Sequence, residues 1–226
     1  MKISKKARRI KLVCWLLVDL IVAVVVVVLL VHKPGRYKPA DFDDGREQSQ
    51  VSPYLTHELM PKIHNDAQYG KPFDVVISQD GINEVVAGLG WPKASDGILL
   101  YAPAAIFVPG SIVLMGTANI KGVEFIITIE LQPKIDEQGL LNLPVAKIKV
   151  GAMNITPLAK ITAKKMYAQR LASIYMDTEA LQTKIAASLF NDEPFEPVFT
   201  INKGKVRIEK ITIYEEKLIA RLVPVS

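Results

Sequence analysis

The feature that most constrains this chain is an apolar run of 20 residues, Leu12–Val31, interrupted by a single acid, Asp19. A helix rises about 1.5 Å per residue, so this run as a helix spans about 30 Å, the thickness of a bilayer's hydrocarbon core. It therefore predicts a transmembrane helix. The main alternative is a cleaved signal peptide, which has a shorter apolar region and a small-residue cleavage site. The residues His32-Lys33-Pro34 that follow contain no such site, which favours an uncleaved anchor.

Basic residues are distributed unequally around the predicted anchor. Residues 1–11 contain six Lys and Arg and no acid, whereas residues 32–38 contain three Lys and Arg. The more basic flank of an anchor stays in the cytoplasm, so we expect a cytoplasmic segment over residues 1–11 and an extracytoplasmic domain beyond the cell membrane. From Pro39 onward there are 19 Lys and Arg against 22 Asp and Glu. The basic surplus thus belongs to the anchor flanks, which argues against a nucleic-acid partner.

Residues 32–53 are predicted to be a linker, and residues 54–226 the folded domain. The linker contains several prolines and glycines and little apolar content besides Tyr37 and Phe42. Such a composition is typical of a solvated tether. A cluster of acids within it lacks the further ligands and the glycine of a calcium loop, which favours a tether over a cation site; the cluster is Asp41, Asp43 and Asp44.

The residues after Gly97 alternate as in β-strands. Along Val123–Gln132 apolar residues alternate with mostly polar ones, which is typical of a strand with one buried face. Other strands are predicted at 73–77, 98–108, 112–118, 141–150, 195–201, 206–214 and 218–225. Short connections between strands favour antiparallel neighbours. The predicted fold class is α+β, with an N-terminal transmembrane helix followed by a twisted antiparallel β-sheet packed on helices.

Helices and strand irregularities are also predicted from the pattern. Helices are expected at 54–69 with an interruption at Pro61, from Ser78 to Leu89, at 157–175, and after a cap at Asp177 or Thr178. Within 206–214 the apolar alternation shifts by one position near Glu209, which predicts a β-bulge. Pro224 predicts an edge strand or a strand end.

The sequence contains no complete catalytic motif. His57-Glu58 begins a zinc-protease motif, but Pro61 occupies the position of its second histidine, so surface histidines are expected. Asp80 and Glu84 lie one helical turn apart and resemble paired acids, although a helix cap beside a solvated glutamate explains them equally well. The only cysteine, Cys14, lies in the anchor. We therefore expect no enzyme activity, no cofactor, no metal site and no disulfide in the domain.

Several predicted strands are apolar on both faces, for instance 98–100 and 106–108. Such strands need cover on both faces or else present an apolar surface. Together with the anchor, this favours a domain that binds a lipid or another apolar ligand in the cell envelope. The candidate lining residues are Leu100, Ile106, Phe107, Ile126 and Ile127.

The alternative is a structural or assembly subunit of an envelope membrane complex, recruited through its transmembrane helix. In that interpretation Asp19 contacts a membrane-protein partner. A protonated or snorkelling acid is the other interpretation of Asp19.

The order of elements and three short segments resemble a known group of proteins. The segments are Ile82-Asn83 in a short helix, Gly139-Leu140-Leu141 at a strand start, and Val150-Gly151 ahead of Pro157. Over roughly residues 74–225 the chain resembles the bacterial YpmS-like single-pass membrane proteins and, more distantly, the tubular lipid-binding (TULIP-like) and YceB-like domains. The resemblance implies a twisted antiparallel sheet wrapped on helices, with an apolar groove suited to acyl chains. It carries over no functional residue.

Overall fold

The structure is a computed structural model that describes residues 5–39, 52–95, 97–173, 181–201 and 204–225. Its helices are α1 (Lys5–Val31), α2 (Met60–Gln68), α3 (Gln79–Ala87), α4 (Thr156–Ser173) and α5 (Leu181–Asn191), and a π-helical segment, Tyr54–Leu59, directly precedes α2. Its strands are β1 (Phe73–Ser78), β2 (Lys93–Ser95), β3 (Ile98–Val108), β4 (Ser111–Ile120), β5 (Val123–Leu131), β6 (Lys134–Ile135), β7 (Leu141–Asn142), β8 (Val145–Val150), β9 (Met153–Asn154), β10 (Val198–Ile201), β11 (Gly204–Tyr214) and β12 (Lys217–Val225).

The strands form two main antiparallel sheets. The large sheet has six strands in the order β2-β3-β4-β5-β8-β9, and the small sheet has four in the order β1-β12-β11-β10. The α+β class is therefore confirmed, but strands expected in a single sheet are divided between two. The division depends on the pairing of β1 with β12, from Phe73 opposite Leu222 to Ser78 opposite Lys217. Alternation cannot reveal this pairing, because it shows which face of a strand is buried and not which strand lies beside it.

Most local strand features agree with the sequence. The predicted bulge lies between Ile208 and Lys210. Pro224 lies at the end of β12. There β12 still pairs with β11, but its pairing with β1 has already ended at Leu222. The prediction of a single strand at 141–150 is wrong, since this stretch divides into β7 and β8 around Pro144. The reason is that a proline has no N–H to donate to a strand ladder.

The helix around Pro61 is continuous, contrary to the expected interruption. Pro61 falls in the first turn of α2, directly after the π-helical segment gives way to α-helix at Met60, so the helix changes type beside the proline and does not break. Before it, the N–H of Met60 donates to the carbonyl of Leu55, five residues earlier. The predicted caps Asp177 and Thr178 lie outside the described residues.

The helix α1 contains the predicted anchor. Its segment Val13–Val31 has a mean hydropathy of 3.2 and none of it is buried. Among the described residues it is the one helix long and apolar enough to cross a membrane. The last turn of α1 contacts the large sheet, because the N–H of Ala152 donates to the carbonyl of Leu29 over 2.8 Å.

Among the described residues, three clusters of buried side chains hold the domain together. One cluster, around Val75, joins the small sheet to the helical segment before and within α2. A second joins the sheets to each other through Phe107 of β3 and Ile213 of β11. The third, around Tyr37 and Met115, covers part of the large sheet. The large sheet is thus covered by different parts of the chain on its two faces.

Candidate ligand-binding site

The large sheet has two faces, which we define by the residues that lie side by side on β3, β4 and β5. Face 1 carries Ile106, Val113 and Glu130, and face 2 carries Ala105, Leu114 and Ile129. Because side chains alternate along a strand, the candidate lining residues divide between the faces: Ile106 and Ile126 lie on face 1, and Leu100, Phe107 and Ile127 lie on face 2.

The structure therefore does not bring the candidate lining residues together. Phe107 is 3% exposed and packs toward the small sheet, and Ile126 is 7% exposed beneath Tyr37. Of the five, only Ile106 borders either of the two cavities described below. Residues of an apolar core and residues of an apolar binding site show the same sequence pattern, so the sequence could not distinguish one from the other.

Face 1 is covered by the chain that directly follows α1. Tyr37 is 4% exposed; its hydroxyl donates to the carbonyl of Ala102 over 2.5 Å and shares a hydrogen bond of 2.8 Å with the Thr117 hydroxyl. Ala102 lies in a bulge of β3 and has a φ of +49°. A bulged residue is left out of the strand ladder, so its carbonyl is available to Tyr37. The start of the expected tether is thus packed on the sheet.

The protonation of Tyr37 follows from this environment. Burial raises the pKa of its hydroxyl, the hydrogen bond from Thr117 opposes that rise, and the charge of Glu124 adds to it. Glu124 in turn accepts a hydrogen bond from Tyr101, which raises the pKa of Tyr101. The neutral Tyr37 hydroxyl is the form that donates to the carbonyl of Ala102, so burial and this one hydrogen bond favour the same protonation state.

A cavity of about 310 Å³ lies on face 1, between the sheet and residues 32–36. We call it the anchor-side pocket, because its walls begin at the residue after α1. Its apolar lining is formed by Ile106, Val108, Val113 and Met115. Its charged and ionisable lining is formed by His32, Arg36, Glu130, Lys147 and Lys149.

Basic groups outnumber the acid in the anchor-side pocket. Glu130 accepts a hydrogen bond of 3.3 Å from the Ser111 hydroxyl and lies opposite Lys147 on the neighbouring strand. Thr128 also lines the pocket, and its buried hydroxyl has no hydrogen-bond partner among the described residues. An unpaired buried hydroxyl costs about 1–3 kcal/mol. The pocket therefore combines an apolar lining, excess positive charge and an unused polar group.

Face 2 has a smaller cavity of about 150 Å³ beneath α4 and α5. Its lining is mainly apolar, and Lys164 and Asp192 at its border form an ion pair of 3.5 Å. Ligand pockets usually measure about 300–1,000 Å³. The anchor-side pocket falls in that range, whereas this apolar cleft falls below it.

The other candidate chemistry has structural explanations. The carboxylate of Glu84 accepts hydrogen bonds from the Ser52 hydroxyl over 2.8 Å and from the N–H of Tyr54 over 3.2 Å, so it holds the start of the helical segment. Asp80 is exposed, as are His57 and His64. Within the described ranges no group of three or more His, Cys, Asp and Glu could hold a metal ion, and the acids at 41, 43 and 44 lie outside those ranges.

Sequence reasoning missed the basic residues of the anchor-side pocket. Lys147 and Lys149 come from β8, and Arg36 comes from the segment expected to be a tether. A signal was present, because Thr128 and Glu130 form the polar side of the β5 alternation. The alternation alone predicts a mostly polar side, because an isolated strand gives no indication that another segment covers it.

Comparison of the chain with family models, with curated proteins and with solved structures finds no match. The resemblance to YpmS-like and TULIP-like proteins therefore stays an expectation based on short segments of sequence.

Proposed function

We propose that this protein is a single-pass membrane protein whose extracytoplasmic domain binds an anionic lipid in the anchor-side pocket and catalyses no reaction. The observation that carries the proposal is the position of this pocket. Its walls include His32 and Arg36, which directly follow the helix that would cross the bilayer. A lipid of the outer leaflet would therefore be within reach of the pocket.

The lining of the pocket fits an amphipathic ligand. Ile106, Val113 and the other apolar side chains offer a surface for part of an acyl chain, and each methylene buried there contributes about 0.8 kcal/mol. Arg36 and Lys149 suit phosphate oxygens, because charge-assisted hydrogen bonds to phosphate are about twice as strong as neutral ones. The Thr128 hydroxyl, which lacks a partner among the described residues, suits an ester or head-group oxygen.

Photolabelling of the full chain tests this proposal. The protein is reconstituted in bilayers containing phosphatidylglycerol with a diazirine on its acyl chain, and labelled peptides are identified by mass spectrometry. We expect label on β4 and β5 around Val113 and Thr128, in addition to label on α1. Phosphatidylcholine with the same diazirine should label these strands less, because it lacks net negative charge.

Charge reversal provides the matched comparison. Lys147→Glu with Lys149→Glu should lower labelling of the pocket strands about tenfold, which corresponds to about 1.4 kcal/mol. Lys205→Glu with Lys210→Glu changes two exposed lysines on β11 and should leave this labelling unchanged. Label confined to α1, or labelling that the pocket substitutions do not change, would contradict the proposal.

A second candidate function is assembly with another membrane protein, and Asp19 is the observation that favours it. Asp19 is exposed within an apolar segment that the rest of the described chain leaves uncovered. An ionised acid near the centre of a lone helix costs up to about 2.5–3.5 kcal/mol, and a polar partner helix would reduce that cost. Cross-linking in native membranes tests this second function. A stoichiometric partner that is lost with Asp19→Leu and kept with the control Val22→Leu supports assembly. The absence of such a partner contradicts assembly.

A further inference from the structure

Two rows of side chains cross face 1 beneath the anchor-side pocket, each with one residue from β3, β4, β5 and β8. The first row is Ile106, Val113, Glu130 and Lys147, and the second row is Ala104, Met115, Thr128 and Lys149. All of them except Ala104 border the pocket. In both rows the residues on β3 and β4 are apolar, whereas those on β5 and β8 are polar or charged. The pocket therefore has an apolar half over β3 and β4 and a polar half over β5 and β8.

This division sets the direction in which an amphipathic ligand lies. Tyr37 covers the next row along the strands, which contains Thr117 and Ile126, and so closes the pocket on that side. Glu124 lies beyond Ile126 on the same side of β5 and does not border the pocket. From β8 to β3 there are three strand spacings, about 14 Å. A ligand with its head group over β5 and β8 would therefore lay its apolar chain across β4 and β3.

The lining of the pocket has more positive than negative charge. With His32 neutral, its cations are Arg36, Lys147 and Lys149 and its one carboxylate is Glu130, which leaves two positive charges unmatched. No ion pair among the described residues includes any of these four charged side chains. Glu130 lies opposite Lys147 and offsets the charge beside it. Lys149 and Arg36 are therefore the cations left to bind an anion.

The unpaired hydroxyl of Thr128 lies beside one of these cations. Thr128 is directly opposite Lys149 on the neighbouring strand, and the Cβ atoms of such a pair are about 4.5–5.5 Å apart. An oxygen that accepts a hydrogen bond from the Thr128 hydroxyl is thus within reach of the Lys149 ammonium group. A phosphate group offers several oxygens of this kind, and hydrogen bonds from a cation to phosphate are among the stronger ones in proteins.

We propose that the anchor-side pocket selects a lipid phosphomonoester, with the phosphate between Thr128 and Lys149 and the acyl chain across β4 and β3. This selectivity rests on the proposed function, because it specifies the head group of the lipid that the pocket binds. A phosphomonoester carries about 1.5–2 negative charges at pH 7, which matches the two unmatched positive charges. A phosphodiester carries about one negative charge and leaves one cation unmatched. A terminal phosphate also needs no room for a second substituent in a cavity of about 310 Å³.

Competition between lipids in the full chain tests the choice of head group. The protein is reconstituted with the diazirine phosphatidylglycerol described above, and either unlabelled phosphatidic acid or unlabelled phosphatidylglycerol with the same acyl chains is added. Phosphatidic acid is the phosphomonoester probe. We expect it to halve the labelling of β4 and β5 at about one tenth of the mole fraction that phosphatidylglycerol needs. Labelling of α1 by the surrounding lipid should fall equally with both.

The outcomes separate this selectivity from lipid binding itself. Equal displacement by the two lipids would overturn the preference for a phosphomonoester and leave the proposed function intact, whereas no label on β4 and β5 would overturn both. Glycerol 3-phosphate, the soluble head group, should not displace the label at the same total concentration as phosphatidic acid. Equal displacement by glycerol 3-phosphate would show that the pocket binds the phosphate ester without the acyl chain, which would overturn the lipid as the ligand.

Two single substitutions test the position of the phosphate. Thr128→Val and Lys149→Gln should each reduce the advantage of phosphatidic acid over phosphatidylglycerol from about tenfold to less than about threefold. Lys205→Gln changes an exposed lysine on β11 and should keep the full advantage. Thr128→Val removes a hydroxyl with no partner among the described residues, so it should not lower the free energy of unfolding in urea. An advantage that both pocket variants retain would overturn this position of the phosphate.

Discussion

The two faces of the large sheet are covered by different kinds of structure. The helix α3 is tightly joined to the edge of β3, because the Asn83 side chain donates to the carbonyl of Ala105 over 2.9 Å and accepts from its N–H over 2.6 Å. Ile82 of α3 packs against the Phe107 cluster on face 2.

On face 1 the cover is the last turn of α1 and a short segment that turns between Pro34 and Tyr37 and is held by Tyr37. The Thr128 hydroxyl beneath it has no partner in the described part of the chain. A short segment and the last turn of α1 cannot fill the width of six strands, so the larger of the two cavities lies on face 1.

The largest expected effect comes from removing the Tyr37 side chain. Tyr37→Ala should lower the free energy of unfolding by about 3–5 kcal/mol, because it removes a buried aromatic ring and two hydrogen bonds. Urea unfolding of the full chain in detergent, followed by near-ultraviolet circular dichroism, measures this loss. Tyr69→Ala is the control, since Tyr69 is 76% exposed and should change stability little. Equal effects of the two substitutions would show that face 1 does not depend on Tyr37.

The junction between α1 and face 1 should be nearly as sensitive. Gly151 has a φ of +58°, and a Cβ there would overlap the carbonyl oxygens of Leu29 and Leu30. Left-handed strain costs about 1–2 kcal/mol and overpacking about 1–3 kcal/mol, so Gly151→Ala should cost about 2–5 kcal/mol and expose the Ala152 amide to hydrogen exchange. Gly110→Ala is the control, because it introduces the same left-handed strain but its Cβ would have no neighbour within 4 Å. It should leave the Ala152 amide protected from exchange.

A smaller effect isolates the Tyr37 hydroxyl. Tyr37→Phe keeps the ring and should cost about 1–2 kcal/mol near neutral pH. The pKa of Tyr37 is raised in the folded state, so its stabilisation is fully present below the unfolded pKa of about 10 and is lost as pH rises through the folded pKa. Stability measured against pH should therefore fall less steeply above pH of about 10 in Tyr37→Phe than in the wild type. Parallel curves would contradict the raised pKa.

The smallest effect compares packing on the two faces. Ala163 borders the cleft of about 150 Å³ beneath α4 and α5, so Ala163→Leu should change the free energy of unfolding by less than about 1 kcal/mol. Ala104 is 4% exposed in the Tyr37 cluster, and Ala104→Leu should cost about 1–3 kcal/mol through overpacking. The difference is measured by urea unfolding, and a larger cost for Ala163→Leu would show that the cleft cannot accept a side chain.

Local features of the fold were predictable because they depend on neighbouring residues. The strands β3, β4 and β5, the Ser78 cap of α3 and the bulge after Ile208 all follow from alternation, capping chemistry and register. The anchor follows from length and hydropathy alone. These features need no knowledge of which segments meet in space.

The site was less predictable because it is assembled from distant segments. Arg36 follows α1, Thr128 lies on β5 and Lys149 lies on β8, and they border the same cavity. The packing of Tyr37 could not be predicted from the polar segment around it, since the carbonyl of Ala102 and the hydroxyl of Thr117 that bond to it are more than sixty residues away. Proximity of this kind depends on sheet pairing, which local patterns do not encode.

The pairing of β1 with β12 sets an order of events in the making of the protein. Asp74 and Arg221 are 147 residues apart in sequence and 3.4 Å apart in space, and β12 lies between β1 and β11. If the domain is exported behind its anchor, β1 crosses the membrane long before its partner is available. Its exposed edge can pair wrongly during that interval. In that case export has to be completed through β12 before the small sheet can close, which would leave an interrupted chain open to proteolysis.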